Sequence, residues 1–427
     1  MSRHSSRAAR IAWVAVLFLS TRLAVAGEPP VSTPVPTLVR SAAPDWPQWR
    51  GPRRDGISEE TGLLPSWPPG GPKCLGKISG IGRGYSSPIV VNDTLYVTGD
   101  EEGDLVIHAF SLDGSLRWRS TNGAAWQRSY PGARASCTYD DGKLYHINAH
   151  GRIVCLDAAT GTEVWAVNVL ERFEAQNITW GICESLLIDG DRVFVTPAGA
   201  KGLMAALDKR TGATVWASPP LDEEQPSYAS PVLIAVGQRR LLVHGGALHA
   251  FAVDADSGEL CWKMRHLDPK TTIVTTPILW NDRLIFTNAS REFGGMYGVR
   301  FDGVPADRAW SADLKVSHGG LVCADGRLCG ASSRGVAEGW VAVDSATGTP
   351  THVGQLPPGS VVYADRRYYC LTEQGTMTLQ ELTEDGFRTT GSFQLADQKD
   401  VWAHPVVCQG RLFLRYHDTL FCYDVRR

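Results

Sequence analysis

The chain has 427 residues, 20% of them charged, and a formal net charge of -3. With 42 basic against 45 acidic residues and no long run of either sign, the sequence excludes a nucleic-acid-binding stripe and an acidic solvating tail. Its 44 glycines and 25 prolines suit a protein of short strands that turns every 8 to 12 residues.

The N-terminus reads as a cleavable export signal. Arg3, Arg7 and Arg10 precede an apolar run from Ile11 to Leu19, and Ala24-Val25-Ala26 offers small residues before Gly27. The run is shorter than the ~20 residues that span a bilayer, so no integral membrane segment is expected after removal of residues 1–26. No cysteine precedes Cys74, so a lipoprotein anchor is not expected, and the mature protein is placed in the periplasm or outside the cell.

Residues 27–44 are rich in Pro, Ser, Thr, Val and Ala without apolar periodicity, which predicts an extended linker that does not pack. From Asp45 the character changes. Trp46, Trp49, Arg50, Arg53, Arg54 and Trp67 mark an irregular arm over 45–72 that lays its tryptophans on the body of the domain. Lys73 to Ile78 then forms a strand-like run with no hairpin partner before it.

Eight similar units occupy the rest of the chain. Each opens on an apolar segment, often headed by Ser or Thr and Pro, as at Ser86-Ser87-Pro88, Ala229-Ser230-Pro231 and Ala403-His404-Pro405. A tight turn follows, such as Asn92-Asp93, Asp141-Gly142 or Gln409-Gly410, and then a second strand. The third and fourth strands flank a recurring corner: Asp157, Thr160, Gly161, Trp165; Asp208, Thr211, Gly212, Trp216; Asp254, Ser257, Gly258, Trp262; and Asp344, Thr347, Gly348 without the Trp. Weaker copies stand at Asp113, Gly114, Trp118 and at Asp302, Gly303, Trp310. Trp118, Trp165, Trp216, Trp262 and Trp310 lie 47, 51, 46 and 48 residues apart, the period of a four-stranded propeller blade. The last unit ends at Asp424 to Arg427 with only three strands. The orphan strand at 73–78 is the missing fourth, so the predicted fold is all-β, an eight-bladed propeller closed by an N-terminal strand over residues 73–427.

Ten cysteines in an exported chain permit disulfides, but spacing gives no connectivity. Cys155 and Cys422 stand two residues before the repeat Asp, where other copies carry Ala206, Ala252 and Ala342. That position calls for a small apolar side chain, which a free Cys supplies. No CxxC pair supports zinc.

The run Ala205-Ala206-Leu207-Asp208 through Trp216 resembles the repeat of pyrroloquinoline quinone (PQQ) propellers. That family includes quinoprotein dehydrogenases and BamB-type outer-membrane assembly scaffolds, and the resemblance, covering residues 45–427, implies eight blades. It says little of activity, because one propeller serves many tasks. Quinoprotein alcohol dehydrogenases clamp the quinone between a tryptophan and a disulfide of adjacent cysteines, place calcium on Glu and Asn oxygens, and use an Asp base. No two cysteines are adjacent here. Trp180 offers a ring, and Asn177 and Glu184 are weak calcium candidates.

Loops that lead into the innermost strands converge on one mouth of a propeller channel. They offer Arg83, Tyr85, Tyr130, Arg134, Asn177, Trp180, Glu184, Tyr228, Lys270, His318, Trp402 and His404 as candidate ligand or partner contacts. The eleven histidines show no HExxH or other metal spacing, Ser86 and Ser230 lack a nucleophile elbow and read as strand-start hydrogen bonders, and no helix follows the glycine-rich run at 80–84 to hold a phosphate. His244 and His249, flanking Gly245-Gly246, read as a solvated turn. The expectation is therefore a monomeric, non-catalytic scaffold that binds a protein partner or a small ligand at the mouth, with no cofactor. The alternative is a PQQ-dependent dehydrogenase of alcohols or sugars assisted by calcium.

Overall fold

Each repeat corner is built by one carboxylate. In a computed structural model of the chain, which describes residues 35–41, 45–266, 273–288, 295–335, 339–354, 356–395 and 399–427, Asp208 Oδ1 accepts from Arg210 N at 3.1 Å, Thr211 N at 2.9 Å and Thr211 Oγ1 at 2.9 Å. Asp157, Asp254 and Asp344 make the same three bonds. This Asx-turn geometry reverses the chain between the third and fourth strands. The corner glycine also seats a neighbour. A Cβ on Gly212 would stand 2.6 Å from Trp165 Cε3, and the corresponding distances are 2.5 Å for Gly161 under Trp118, 2.7 Å for Gly258 under Trp216 and 2.3 Å for Gly348 under Trp310. Each of these tryptophans then donates Nε1–H to the carbonyl just after the corner Asp of the next blade: Trp118 to Ala158 at 3.0 Å, Trp165 to Lys209 at 2.9 Å, Trp216 to Ala255 at 3.2 Å and Trp310 to Ser345 at 3.1 Å. The spacing of Asp, Gly and Trp is thus the contact between consecutive blades.

The eight sheets follow chain order. Blade 1 comprises Ile89–Val91, Thr94–Glu101, Asp104–Ser111 and Leu116–Ala124; blade 2, Thr138–Asp140, Lys143–Ile147, Arg152–Asp157 and Glu163–Asn168; blade 3, Leu187–Asp189, Arg192–Val195, Ala205–Asp208 and Thr214–Ala217. Blade 4 comprises Val232–Val236, Arg239–Gly245, His249–Asp254 and Leu260–Arg265; blade 5, Ile278–Trp280, Arg283–Thr287, Met296–Phe301 and Pro305–Ala312; blade 6, Leu314–Ala324, Arg327–Gly335, Gly339–Asp344 and Pro350–Val353. Blade 7 runs through Gly359–Ala364, Arg367–Thr372, Thr376–Thr383 and Gly386–Gln394. Blade 8 takes Val406–Cys408, Arg411–Tyr416 and Thr419–Asp424, and its fourth strand is Cys74–Ser79, paired antiparallel so that Gly76 faces Cys422 and Ile78 faces Leu420. The ring is therefore an eight-bladed propeller closed by its N-terminal strand. Left-handed φ at Asn92, Asp141, Asn281, Asp325 and Gln409 confirms the tight turns after the first strands.

Apolar clusters lie between neighbouring blades. Tyr145, Ile153, Cys155 and Trp165 of blade 2 pack on Val193, Val195, Ala205 and Leu207 of blade 3. Cys155 is fully buried there and acts as an apolar filler, and all ten cysteines carry free thiols.

The Pro-rich stretch departs from the expectation of an unpacked linker. Thr37 and Leu38 pair with Ala235 and Ile234 on the free edge of the first strand of blade 4, giving that sheet a fifth strand. Two residues suffice, because an innermost strand presents unpaired N–H and C=O groups that any extended segment can satisfy.

The arm that follows touches each of the other blades. Trp46 bridges Val90 of blade 1, Pro47 O accepts from Tyr139 N at 2.8 Å on blade 2, and Arg54 Nη2 donates to Ser185 O at 2.7 Å beside blade 3. Trp49 Nε1 donates to Thr276 Oγ1 at 3.1 Å next to blade 5, and Arg50 reaches Leu321 O of blade 6. Ser58 N donates to Tyr363 O at 2.8 Å on blade 7, and Leu64 N donates to Val425 O at 2.7 Å beside blade 8. Its contacts to Asn92, Asp365 and Gln409 lie at the turns after the first strands. The arm therefore covers the end of the ring opposite the loops that lead into those strands.

Candidate functional site

Hydrogen bonds between strand starts line the channel. Ser136 Oγ donates to Ser87 O at 2.9 Å, Ser136 N donates to Ser185 Oγ at 3.0 Å, and Ser185 N donates to Ser230 Oγ at 2.9 Å. His404 N donates to Ser87 Oγ at 2.9 Å, so the chain of contacts runs from blade 8 to blade 4. Ser86 Oγ lies 2.7 Å from Thr98 Oγ1. These strand-start bonds of Ser87, Ser136, Ser185 and Ser230 tie neighbouring blades together.

At the mouth formed by the loops that lead into the first strands, aromatic rings collect. His318 stacks on Trp402 at 4.5 Å and 18°, and Trp402 also meets Tyr85 at 4.9 Å and Tyr130 at 5.2 Å. Tyr85 touches His417 at 5.3 Å, while Trp180 packs on Tyr228 at 5.2 Å. Arg83 and Arg134 lie within electrostatic reach of the Tyr85 hydroxyl, whose pKa burial nonetheless raises. Arg134 also reaches Tyr228, donates to Tyr130 O at 2.7 Å and covers Trp126 at 5.3 Å. Segments of blades 1, 2, 3, 4, 6 and 8 thus bring eight of the sequence candidates, Arg83, Tyr85, Tyr130, Arg134, Trp180, Tyr228, His318 and Trp402, to one end, His318 from within the first strand of blade 6. Lys270 lies outside the described residues.

The remaining candidates are elsewhere engaged. Asn177 Nδ2 donates to Ala149 O at 2.9 Å and its Oδ1 accepts from Ile178 N at 2.8 Å. Glu184 is 3% exposed and accepts from Thr196 N at 3.0 Å, and burial pushes its carboxyl up to about 8. His404 is buried between the ring of Trp49, 4.6 Å away, and His318 O, to which Nε2 donates at 2.8 Å. His244 corrects the solvated-turn reading. It belongs to the second strand of blade 4, is 1% exposed, and burial lowers its pKa to about 3. Only His249 stays partly open, with Nδ1 2.8 Å from Glu224 Oε2.

Three arginines are buried: Arg50 and Arg54, which the sequence places in the arm without naming their partners, and Arg415, which it does not single out. Arg54 donates to Gln48 Oε1 at 3.1 Å and Leu186 O at 3.0 Å as well as to Ser185, and lies within electrostatic reach of the buried Glu184. Arg50 reaches into the ring beside Gly320. Arg415 donates to Ser86 Oγ at 2.5 Å, Gly82 O at 3.2 Å and His417 O at 2.7 Å. Burial lowers these guanidinium pKa values to about 9, 10 and 9. The Trp-Arg-Gly-Pro-Arg-Arg run at 49–54 was the available signal for the first two. Gly82 and Gly84 serve close backbone approach, since a Cβ would fall 2.9 Å from Asp100 O on the first and 3.0 Å from Ala133 O on the second, and one on the facing Gly99 would fall 1.8 Å from Ile81 O.

Residues 101–351 match the family described as outer membrane protein assembly factor BamB. The chain belongs to the PQQ-repeat family of β-propellers. As a PQQ-repeat protein it superposes on BamB from Moraxella catarrhalis with a TM-score of 0.62 and 18% identity, covering 83% of this chain and 99% of that one. A europium-containing methanol dehydrogenase gives a TM-score of 0.65 and 15% identity over 87% of this chain and 89% of that one. Both likenesses concern the fold. In sequence, the chain is 26% identical over 151 residues to quinohemoprotein alcohol dehydrogenase ADH IIB of Pseudomonas putida, which is 33% of this chain and 22% of the relative. It is 29% identical over 151 residues to the lanthanide-dependent methanol dehydrogenase of Methylacidiphilum fumariolicum, 31% and 23% respectively. The chain thus spans about a quarter or less of these curated relatives.

The family name raises the question whether these residues suit PQQ and calcium. They do not fit well. A planar quinone needs a free ring face, yet Trp402 is crowded by three rings and Trp180 by Tyr228. A calcium ion needs convergent oxygens, yet Glu184 and Asn177 spend theirs on Thr196 and Ile178.

Proposed function

We propose that this PQQ-repeat protein is an exported, non-catalytic binding scaffold that captures a partner protein at its open mouth. The observation that carries this reading is the contrast between the two ends. One end is covered by the chain's own arm, and the other presents aromatic rings with Arg83 exposed and Arg134 half-buried. Aromatic and arginine side chains at the centre of a rigid concave face are the usual energetic anchors of a protein interface. The family's description as an outer membrane protein assembly factor is in keeping with a scaffold role, and the basic-then-apolar N-terminus with export.

Two measurements test it. Pure protein titrated with PQQ and calcium should show neither cofactor absorbance nor dye-linked oxidation of alcohols or sugars. Tight binding with turnover establishes the dehydrogenase instead. The Trp180→Ala, Trp402→Ala double variant should lose partner capture from envelope extracts while keeping its unfolding midpoint, and unchanged capture rejects the mouth.

A further inference from the structure

The repeat tryptophan is replaced where blade 6 meets blade 7. Trp165, Trp216, Trp262 and Trp310 each stand eight residues after the corner Asp of their own blade, and in blade 6 that place, eight after Asp344, belongs to His352. His352 still finds the next corner: its Nε2 donates to Glu384 O at 3.0 Å, and its ring lies beside Gly386, which has φ +119. The seat is looser. A Cβ on Gly386 would stand 3.4 Å from His352 Cδ2, against 2.3 to 2.7 Å where an indole sits on Gly161, Gly212, Gly258 or Gly348. Beside this single ring, between the outer strands Pro350–Val353 and Gly386–Gln394, a cleft of about 420 Å³ remains. We infer that this cleft takes an indole ring, the tryptophan side chain of an extended segment in a partner protein, so that the partner supplies what blade 6 lacks. The site lies on the flank of the ring and does not depend on the mouth.

The walls suit that ring. Trp340, Leu356 and Phe387 give the cleft an apolar side, and Val353 at its rim is 55% exposed. The side-chain nitrogen donors around it are engaged: Trp340 Nε1 donates to Pro357 O at 3.0 Å, Gln380 Nε2 to Thr389 Oγ1 at 2.8 Å, and His352 Nε2 to Glu384 O. Acceptors are left over. Gln380 is only 2% exposed, yet its Oε1 accepts from none of the described residues. The exposed Asp385 carboxylate on the same wall likewise has neither an ion pair nor a hydrogen bond among them, but water reaches it. A buried acceptor without a donor is costly, and a ligand that brings an N–H to it relieves that cost. An indole combines a flat apolar body with one such N–H, directed at Gln380 Oε1, whereas a carboxylate or phosphate would meet acceptors of its own kind.

The molecule itself shows what belongs there. At four other junctions an indole lies on a corner glycine and donates Nε1–H to a backbone carbonyl at 2.9 to 3.2 Å. The volume falls toward the lower end of ordinary ligand sites and has room for one bicyclic ring. Pro350–Val353 is the terminal strand of its sheet, so its outer edge offers an extended segment a place to lie while one side chain turns into the cleft.

The probe is the peptide acetyl-Ser-Gly-Trp-Gly-Ser-amide made with 5-fluorotryptophan and followed by fluorine NMR as the full-length protein is added. Its resonance should shift and broaden, and the same peptide methylated at the indole nitrogen should bind about tenfold more weakly. His352→Trp returns the chain's own indole to the junction, so it should keep or raise the unfolding midpoint and abolish the shift. Gln380→Met removes the unpartnered acceptor at similar size; it should weaken the tryptophan peptide about tenfold and leave the methylated one unmoved. If His352→Trp fails to fold, the Gln380→Met comparison decides alone. Absence of binding, binding untouched by a folded His352→Trp protein, or equal affinity for the methylated peptide overturns the inference. Tighter binding of free indole than of the peptide marks a small-molecule site and overturns the assignment to a partner's side chain.

Discussion

Substituting the corner glycine tests whether the repeat signature is an inter-blade contact or merely a turn. Gly212 has φ +70, and a Cβ there would stand 2.6 Å from Cε3 and 2.9 Å from Cδ2 of Trp165, a ring only 8% exposed and tethered through Nε1 to Lys209 O. Gly212→Ala therefore carries two costs: about 1 to 2 kcal/mol for a left-handed alanine and about 1 to 3 kcal/mol for displacing a packed side chain. Gly190→Ala isolates the first, since its φ is +55 and nothing lies within 4 Å of the added carbon. We expect Gly212→Ala to lower stability by about 2 to 5 kcal/mol and Gly190→Ala by about 1 to 2 kcal/mol, read from urea midpoints at unchanged slope. In a Trp165→Ala background, itself about 3 to 5 kcal/mol less stable, Gly212→Ala should cost no more than Gly190→Ala does. Equal effects of the two glycine variants in the parent protein, or strict additivity in the cycle, refute the seat.

Two further outcomes follow from a buried carboxyl and from the closing strand. Glu184 keeps its proton up to about pH 8 when folded but only to 4.5 when unfolded. Its effect is absent below 4.5, lowers stability progressively as pH rises from 4.5 to 8, and levels off above, with an upper bound of about 1.4 kcal/mol for each pH unit crossed. Glu184→Gln should therefore gain on the parent between about pH 5 and 8.5 in thermal unfolding, and a pH-independent difference refutes this. The comparison must be by difference, because the buried His146 and His404, lowered to about 4 and about 3, independently erode stability below pH 6.5. Deleting residues 27–78 removes both the closing strand and the arm, exposing the Thr419–Asp424 edge. The product should aggregate, and a soluble, cooperatively folding truncation counts against closure.

The architecture was legible because the residues that announce it act over short distances. Asp157, Thr160 and Gly161 shape a local corner, and the missing fourth strand of blade 8 could be counted. What stayed hidden involved partners far apart in sequence. Arg54 reads as one more surface arginine until Ser185 and Leu186, more than 130 residues away, supply its acceptors. His244 looked solvated because Gly245-Gly246 follows it, yet the strand runs on through Gly245. Thr37 and Leu38 carry no strand pattern of their own and pair only because blade 4 offers an edge. The candidate mouth was legible as a set of loops. That His404 and Glu184 face inward while Trp402 and Tyr85 face one another was not, because strand order fixes which loop a residue occupies but not the direction of its side chain.

The same connectivity accounts for the division of labour between the ends. Every turn after a first strand is short and carries its left-handed residue at a fixed place, so that end is regular enough for one arm to reach seven of the blades, the eighth being met by Thr37 and Leu38. The loops before the first strands differ in length and composition from blade to blade, so no single segment of the chain fits them all. Their rings pack on each other instead, leaving Arg83 exposed beside them. Covering the regular end costs the ring no recognition surface, because identical corners carry little to distinguish one partner from another. Under the scaffold reading, specificity has to come from the irregular end, where the aromatic rings gather.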